Sequence, residues 1–272
     1  MGKRYRLTRA TGLLLCPLLA LAVSTAWSAG TATAARRGAA LPVKGKQQAL
    51  RDEFEQLDLG DDGTWGWQSG AYSGCDTNRG NHKLDRLTPD ALSVDDGVLD
   101  ITARRAADGM WETGLLTTGD SCGSGGNGFT ERTGDVVVAH VQLPGPEGGW
   151  PGIWSWRDGK NELDLFEWHA AHPHRLELVN HVADAGHYWT SSLVRPHGWL
   201  WIGVHLGAGN VTWYAGASQK AMRAIWSDGK GVGGKFRAHP VINLSVDDGR
   251  YLPKPRRDAV LHFRVGSFSV YR

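Results

Sequence analysis

The chain has 272 residues, and its 30 basic and 28 acidic side chains leave a formal net charge of +2. Because basic and acidic side chains are nearly equal in number, the chain has no excess of positive charge to attract nucleic acid or an anionic membrane surface. We expect neither as a partner. The length allows one large domain or two small ones. Because no internal repeat or Pro- or Ser-rich linker follows residue 50, we predict one domain over residues 50–272.

The N-terminus has the pattern of a secretory signal peptide. Four basic residues within 3–9 precede an apolar run over 12–23, and small residues follow around Ala29 and Ala34. This run is too short for a stable membrane span. We therefore predict a signal peptide over 1–34, a disordered lead-in over 35–49, and a secreted, extracellular protein that is not attached to a membrane after cleavage.

From about residue 50 the sequence alternates between strand patterns and turn patterns. Along 135–143 the residues Val137, Ala139, Val141 and Leu143 would share one face of a strand. Further strands are predicted over 98–102, 176–182, 199–206, 211–215, 241–246 and 260–271, and the turn 207–210 would join two of them as a hairpin. Many strands with turn-rich connections favour an all-β fold, an antiparallel two-sheet β-sandwich or jelly roll.

Two cysteines remain after the predicted cleavage, Cys75 and Cys122, and both lie in loop-like segments rich in Gly, Ser and Asp. An exported chain meets an oxidising environment, which favours a disulfide between them over a metal role for two isolated thiols. Such a disulfide would close a long loop and restrict the unfolded chain.

Tryptophan is unusually frequent, and Trp150, Trp154, Trp156 and Trp168 crowd around one acidic segment. An indole packs on the apolar face of a sugar ring, whereas carboxylates and amides bond to its polar rim. We predict that this cluster lines a sugar cleft, with Trp150, Trp154 and Trp168 as substrate-binding residues. Burial in the core is the alternative for each of them.

The acidic segment carries Glu162, Asp164 and Glu167 with apolar residues between them. In a regular strand the first two would face one side and Glu167 the other. One bulge residue between Asp164 and Glu167 would bring all three carboxylates to one face and leave Leu163 and Leu165 to pack on the core. Since like charges on one strand face repel, we interpret the triplet as catalytic. The alternatives are an exposed acidic face and a cation site.

Cleavage of a glycosidic bond uses two carboxyl groups in different protonation states. We assign Glu162 as nucleophile and Glu167 as general acid and then base, with the proton affinity of Glu167 raised by crowding and by Trp168. Asp164 would hold Glu162 by a hydrogen bond and adjust the proton affinities of the group. His181 is a candidate for a bond to a sugar hydroxyl, with a solvated loop histidine as the alternative.

Other chemistries find little support in the sequence. No zinc-type spacing such as His-Glu-x-x-His occurs, so we predict no metal ligands. The Gly-x-Ser-x-Gly pattern at residues 119–123 lies in a loop-like segment rich in Gly and Ser with no long helix predicted after it, which disfavours a serine nucleophile.

At these residues the chain resembles family 16 of the glycoside hydrolases, which includes laminarinases, lichenases and agarases. The family signature Glu-x-Asp-x-x-Glu is matched by Glu162, Asp164 and Glu167, and residues 150–154 look like its Trp-Pro-x-x-Trp segment. The resemblance covers about residues 50–272. It implies a concanavalin A-like jelly roll and a retaining endo-mechanism on a polysaccharide, with β-1,3- or β-1,3-1,4-glucan as the first candidate.

The resemblance also bears on cofactors and partners. The family's closing strand often has an Asp that helps to bind a structural calcium, but Gly266 stands at the matching position, which disfavours that site. No cofactor is expected to be required, and a structural calcium remains the alternative. We expect a monomer whose partner is its polysaccharide substrate. A non-catalytic lectin-like module and a transglycosylase on the same fold remain the alternative functions.

Overall fold

The computed structural model describes residues 38–145 and 148–272. The predicted signal peptide over 1–34 lies outside the described residues. Within them, the helical elements are three one-turn 3-10 helices, at Arg79–Asn81, Pro89–Ala91 and Gln219–Ala221. None of the described helices is long and apolar enough to cross a membrane.

Strands make up most of the regular structure. In chain order they are β1 (Gln48–Asp52), β2 (Asp85–Leu87), β3 (Leu92–Asp95), β4 (Val98–Arg105), β5 (Trp111–Thr113), β6 (Leu115–Thr117), β7 (Glu131–Arg132), β8 (Val136–Gln142), β9 (Gly149–Trp156), β10 (Leu163–Trp168), β11 (Arg175–Asn180), β12 (Ala185–Thr190), β13 (Trp199–Leu206), β14 (Val211–Gly216), β15 (Arg223–Ser227), β16 (Arg237–Val246) and β17 (Val260–Tyr271).

These strands form two sheets. The ten-stranded sheet has the order β15-β14-β13-β8-β17-β4-β5-β2, with β1 paired to β17 and β3 to β4. The seven-stranded sheet has the order β12-β11-β10-β9-β16-β6, with β7 paired to β16. The named strands pair antiparallel except for β2 with β5. The prediction of an all-β, two-sheet sandwich of jelly-roll type is confirmed.

The core lies between the sheets, and β8 illustrates why the sequence folds this way. Val137, Ala139 and Val141 are buried in the main hydrophobic cluster, as their alternation predicts. Residues of this cluster also come from β9, β10, β11 and β16 in the other sheet. Complete burial of an aliphatic or aromatic side chain stabilises the fold by roughly 1.5–3 kcal/mol. The hairpin predicted at 207–210 joins β13 to β14, which pair antiparallel.

The segment before β1 differs from its prediction. Residues 38–49 were expected to belong to a disordered lead-in, yet Ala40 forms a β-bridge with Arg223, and Leu41 and Val43 pack against a second apolar cluster. This cluster lies on the outer face of β8, where Val136 and Val138 would otherwise meet water. Covering apolar surface is favourable, so this part of the chain is ordered. Residues 35–37 lie outside the described ranges.

The surroundings of Gly266 on β17 bear on the calcium expectation. A Cβ atom at this position would lie 3.1 Å from Nδ1 of His140 and 3.4 Å from the ring of Trp199. Calcium takes oxygen ligands. The nearest neighbours of this position are thus an imidazole and an indole rather than oxygen ligands, and the calcium expectation stays a prediction.

Cys75 and Cys122 form a disulfide, as predicted, across a sequence separation of 47 residues. It connects the loop that precedes β2 to the loop that follows β6. Closing a loop of this length mainly restricts the unfolded chain.

Replacement of both cysteines by serine is expected to lower the free energy of unfolding by about 2–4 kcal/mol. Urea unfolding of the mature protein, followed by tryptophan fluorescence, measures this difference. The single variants Cys75→Ser and Cys122→Ser should lose as much as the double variant, since either one opens the loop. An unchanged unfolding midpoint in the double variant would contradict the expectation.

Glu131 on β7 is a carboxyl group inside the sandwich, with only 2% of the residue exposed. The hydroxyl of Ser155 donates a hydrogen bond to it. Burial raises the pKa of Glu131 from 4.5 to about 8, because desolvation and the nearby charge of Asp135 outweigh that hydrogen bond. The folded protein therefore holds a proton here at neutral pH.

The variant Glu131→Gln should be more stable than the wild type at neutral and mildly alkaline pH. Between pH 4.5 and about 8 the folded wild type binds one proton more than the unfolded chain. Its free energy of unfolding thus falls with rising pH, by at most about 1.4 kcal/mol per pH unit from this group. Thermal unfolding across this pH range should give a shallower slope for the variant. Equal slopes would refute the assignment.

Candidate active site

Strand β10 contains the predicted bulge, which is needed if Asp164 and Glu167 are to face the same side of the sheet. Its register with β9 shifts between Asp164 and Phe166, and its register with β11 shifts between Asp164 and Glu167. Two consecutive residues, Leu165 and Phe166, are consequently buried in the core. Glu167 then faces the same side as Asp164, and Leu163 packs on the core as predicted.

A tryptophan of the opposite sheet supports the bulged segment. The indole Nε1 of Trp213 on β14 donates a hydrogen bond to the backbone oxygen of Asp164, at 3.0 Å. A bulge disturbs the ladder of backbone hydrogen bonds locally, and a buried carbonyl needs a donor. Trp213 supplies that donor where the irregularity begins.

The three carboxylates share one cavity of about 610 Å³ on the face of the smaller sheet that points away from the core. The structure thus brings Glu162, Asp164 and Glu167 together, as their catalytic assignment requires. The other lining residues are mostly polar or aromatic: Ala71, Asn78, Asn81, Lys83, Trp150, Trp154, Trp156, His169, His172, Arg175, Glu177, His181, Tyr188, Tyr251 and Leu252.

Asp164 is the most deeply buried of the three acids, with 3% of the residue exposed. Its Oδ2 lies 3.1 Å from Nε2 of His181. The hydrogen bond predicted between Asp164 and Glu162 is absent from the described residues, and that prediction was wrong. The imidazole stands beside both acids instead, since the same Nε2 lies 3.9 Å from Oε1 of Glu162.

The proton affinities in this group follow from burial and from mutual charge. Desolvation, reinforced by the charges of Glu167 and Glu162, raises the pKa of Asp164 to about 7. The hydrogen bond to Asp164 and the surrounding carboxylates raise the pKa of His181 to about 9, so this side chain is a cation at neutral pH. His181 therefore balances the acids, which was not its predicted role.

Glu162 is subject to opposing influences. Burial is the largest and raises its pKa, and the charge of Glu167 acts in the same direction. The cations His181 and Lys83 lower the pKa of Glu162. The two cations thus favour the ionised form of this carboxyl group.

Two of the three tryptophans predicted to bind substrate line the cavity. Trp150 donates a hydrogen bond from Nε1 to Oε1 of Glu167, at 2.9 Å. Trp154 donates from Nε1 to Oδ1 of Asn243, also at 2.9 Å. Each indole is held by a hydrogen bond at its polar edge.

Trp168 is in the core, and its prediction as a substrate-binding residue was wrong. The residue is fully buried, and its Nε1 donates to the backbone oxygen of Pro173 at 3.3 Å. The reason is the same bulge: once Glu167 faces the cavity, the next residue of the strand must face the other side. Trp168 therefore does not provide the apolar cleft neighbour that was expected to raise the proton affinity of Glu167.

A row of side chains across β10, β11 and β12 was missed by the sequence analysis. Glu177 pairs with Glu167 across one strand boundary and with Tyr188 across the next. Nε2 of His169 lies 3.4 Å from Oε2 of Glu177, and the guanidinium of Arg175 lies 4.2 Å from the ring centroid of Tyr188. The alternation of polar and apolar residues along β11 could have placed Arg175 and Glu177 on the cleft face.

Two groups of side chains have donor atoms within 4.8 Å of one another. One consists of Glu162, Asp164 and His181, and the other of Glu167, His169 and Glu177. In the first group His181 already bonds Asp164. Such sets of carboxylate and imidazole groups could also hold a metal ion, so the expectation that the chain has no metal ligands stays a prediction.

Among known proteins, the chain is similar in fold to solved structures of glycoside hydrolases. No protein-family model matches the sequence, and no curated protein is similar to it. Solved structures do match, and many are laminarinases and endo-β-1,3(4)-glucanases of glycoside hydrolase family 16.

Three of these structures illustrate the likeness. SCLam, a non-specific endo-β-1,3(4)-glucanase from this family, has 17% identity, a TM-score of 0.66 and coverage of 86% of this chain and 94% of its own. The laminarinase catalytic domain from Thermotoga petrophila has 16% identity, a TM-score of 0.64 and coverage of 84% and 98%. A structure from work on endo-acting O-glycanases of the human gut microbiota has 14% identity, a TM-score of 0.64 and coverage of 83% and 99%. The chain has the fold of the family 16 glucanases.

Proposed function

We propose that this chain is a secreted glycoside hydrolase that cleaves β-linked bonds within a polysaccharide and retains the anomeric configuration. The observation that carries the proposal is the bulge of β10, which places Glu162, Asp164 and Glu167 in one cavity beside Trp150 and Trp154. β-1,3-Glucan or mixed β-1,3-1,4-glucan is the first candidate substrate, because SCLam is named as a β-1,3(4)-glucanase.

In the proposed reaction, Glu162 attacks the anomeric carbon and forms a covalent glycosyl–enzyme bond. Glu167 donates its proton to the departing glycosidic oxygen, and then removes a proton from the water that hydrolyses the intermediate. The indole of Trp150 holds Glu167 through the 2.9 Å hydrogen bond. His181 and Lys83 favour the ionised nucleophile by lowering the pKa of Glu162.

The acid cluster also weighs against a lectin-like module. Binding a neutral sugar requires no carboxyl group as deeply buried as Asp164, and burial of ionisable groups opposes folding.

Export is proposed from the N-terminal sequence pattern alone. N-terminal sequencing of protein recovered from culture medium would test it.

Glu162→Gln should abolish release of reducing ends from laminarin and barley glucan while the fold persists. Glu167→Gln should lower kcat/KM by about 10²–10⁴-fold. Glu112→Gln, on an exposed position of the larger sheet, serves as the matched control and should retain wild-type rates. Wild-type-like hydrolysis by the Glu162 variant would overturn the proposal, as would glycan binding by the wild type without any turnover.

A substrate with a good leaving group separates the two glutamate roles. An aryl glycoside whose phenol leaves without a proton should be cleaved in its first step by Glu167→Gln, but not by Glu162→Gln. A burst of released phenol, followed by slow turnover, is the expected signature of the Glu167 variant. The absence of any burst would contradict its assignment as general acid.

His181→Gln is expected to move the acidic limb of the kcat/KM profile to higher pH. The cationic imidazole lowers the pKa of Glu162, so its removal raises that pKa and delays ionisation of the nucleophile as pH rises. Rates of glucan hydrolysis across the pH range provide the measurement. His262→Gln, which changes a histidine beside Asp100 on the larger sheet, should leave the limb in place. A limb that moves to lower pH in His181→Gln would contradict the assignment.

A further inference from the structure

Lys83 is a buried cation in the wall of the catalytic cavity. Only 7% of the residue is exposed, yet it lines the same cavity as Glu162 and Glu167. Its Nζ lies 4.3 Å from the ring centroid of Trp150, the indole that bonds Glu167. The side chain is therefore held against an aromatic face, close to the proposed reaction centre.

The ammonium group has no polar partner in the part of the chain that the structure describes. No described carboxylate lies within 4.0 Å of Nζ, and no described acceptor takes a hydrogen bond from it. The cationic side chains of His181 and Arg175 differ, because His181 bonds Asp164 and Arg175 stacks on the ring of Tyr188.

The ammonium group reaches the cavity, and the indole face beside it accepts none of its N–H donors in a conventional hydrogen bond. Its three N–H donors remain available to a molecule in the cavity. An anionic oxygen is the acceptor that forms the strongest hydrogen bonds with such a donor.

We propose that Lys83 binds an anionic group, a sulfate ester or a carboxylate, carried by the sugar that occupies the cavity beside Glu162. The inference rests on the proposed function and names the substrate class of the same site: a β-linked polysaccharide with charged substituents. An uncharged hydroxyl would also accept a hydrogen bond, but an anionic oxygen adds the attraction between opposite charges.

The neighbouring loop supplies further donors. Asn78 and Asn81, which lie at the 3-10 turn just before Lys83, also line the cavity. Within the described ranges neither side-chain amide has a hydrogen-bond partner. Both can donate to an oxygen of the group that Lys83 binds. The Cys75–Cys122 disulfide tethers the loop on which they lie.

The test compares three oligosaccharides with one β-1,3-glucan backbone: neutral, sulfated and carboxymethylated. Their affinities for the hydrolytically inactive Glu162→Gln variant are measured by calorimetry at low and high salt. This background excludes any effect of Lys83 on the charge of Glu162. The charged ligand that suits the site should bind about tenfold more tightly than the neutral one. The sulfated and carboxymethylated arms distinguish the two anions.

Adding Lys83→Met to this background should abolish the preference for the charged ligand, because methionine keeps an unbranched apolar stem against Trp150 but has no charge. Lys83→Arg should retain part of the preference. Lys220→Met, on an exposed 3-10 turn beside the larger sheet, removes the same net charge and should change nothing. Higher salt should reduce the preference where it exists. Thermal unfolding of each variant checks that it is folded.

Equal binding of neutral and charged ligands, or a preference that survives Lys83→Met, overturns the inference. The proposed function would still stand in that case if the wild type releases reducing ends from the glucan. Failure of the wild type to cleave any of the three polymers, together with no binding by the inactive variant, overturns both.

Discussion

The geometry of the site depends on one irregularity, the bulge between Asp164 and Glu167. A regular strand would send Glu167 to the opposite face from Asp164. Instead Leu165 and Phe166 both turn into the core, and the acids meet on the other face. The bulge is stable because it buries two apolar side chains at once and because an indole of the opposite sheet bonds the Asp164 carbonyl. The same bulge therefore determines both the packing of the core and the geometry of the site.

Around this bulge the cavity is organised by charge. Burial raises the pKa of Asp164 and of Glu162, whereas the nearby cations lower the pKa of Glu162 and so favour an ionised nucleophile. His181 is held by a direct bond to Asp164, whereas Lys83 acts from a position against Trp150. The two cations are placed differently: His181 is paired with an acid, and the ammonium of Lys83 is left for a ligand. This difference is the physical basis for inferring an anionic substrate.

Much of the fold could be predicted, because burial imposes a period on the sequence. The alternation through Val137, Ala139 and Val141 identifies a strand with one core face wherever that strand lies in the sheet. The order of residues 38–49 could not be predicted, because no periodic pattern of burial marks this segment. Their composition is that of a flexible lead-in, and only the apolar outer face of β8 explains why Leu41 and Val43 are held.

The sequence alone determined the type of fold, the presence of the acid triplet and the need for a bulge, because each follows from spacing along one strand or from composition. Tertiary structure alone decided which tryptophans reach the cavity, since Trp168 differs from Trp150 only through strand parity and sheet contacts. It also decided the partner of Asp164 and the position of Lys83. Those contacts join segments far apart in the chain, and no local pattern encodes the distance between them.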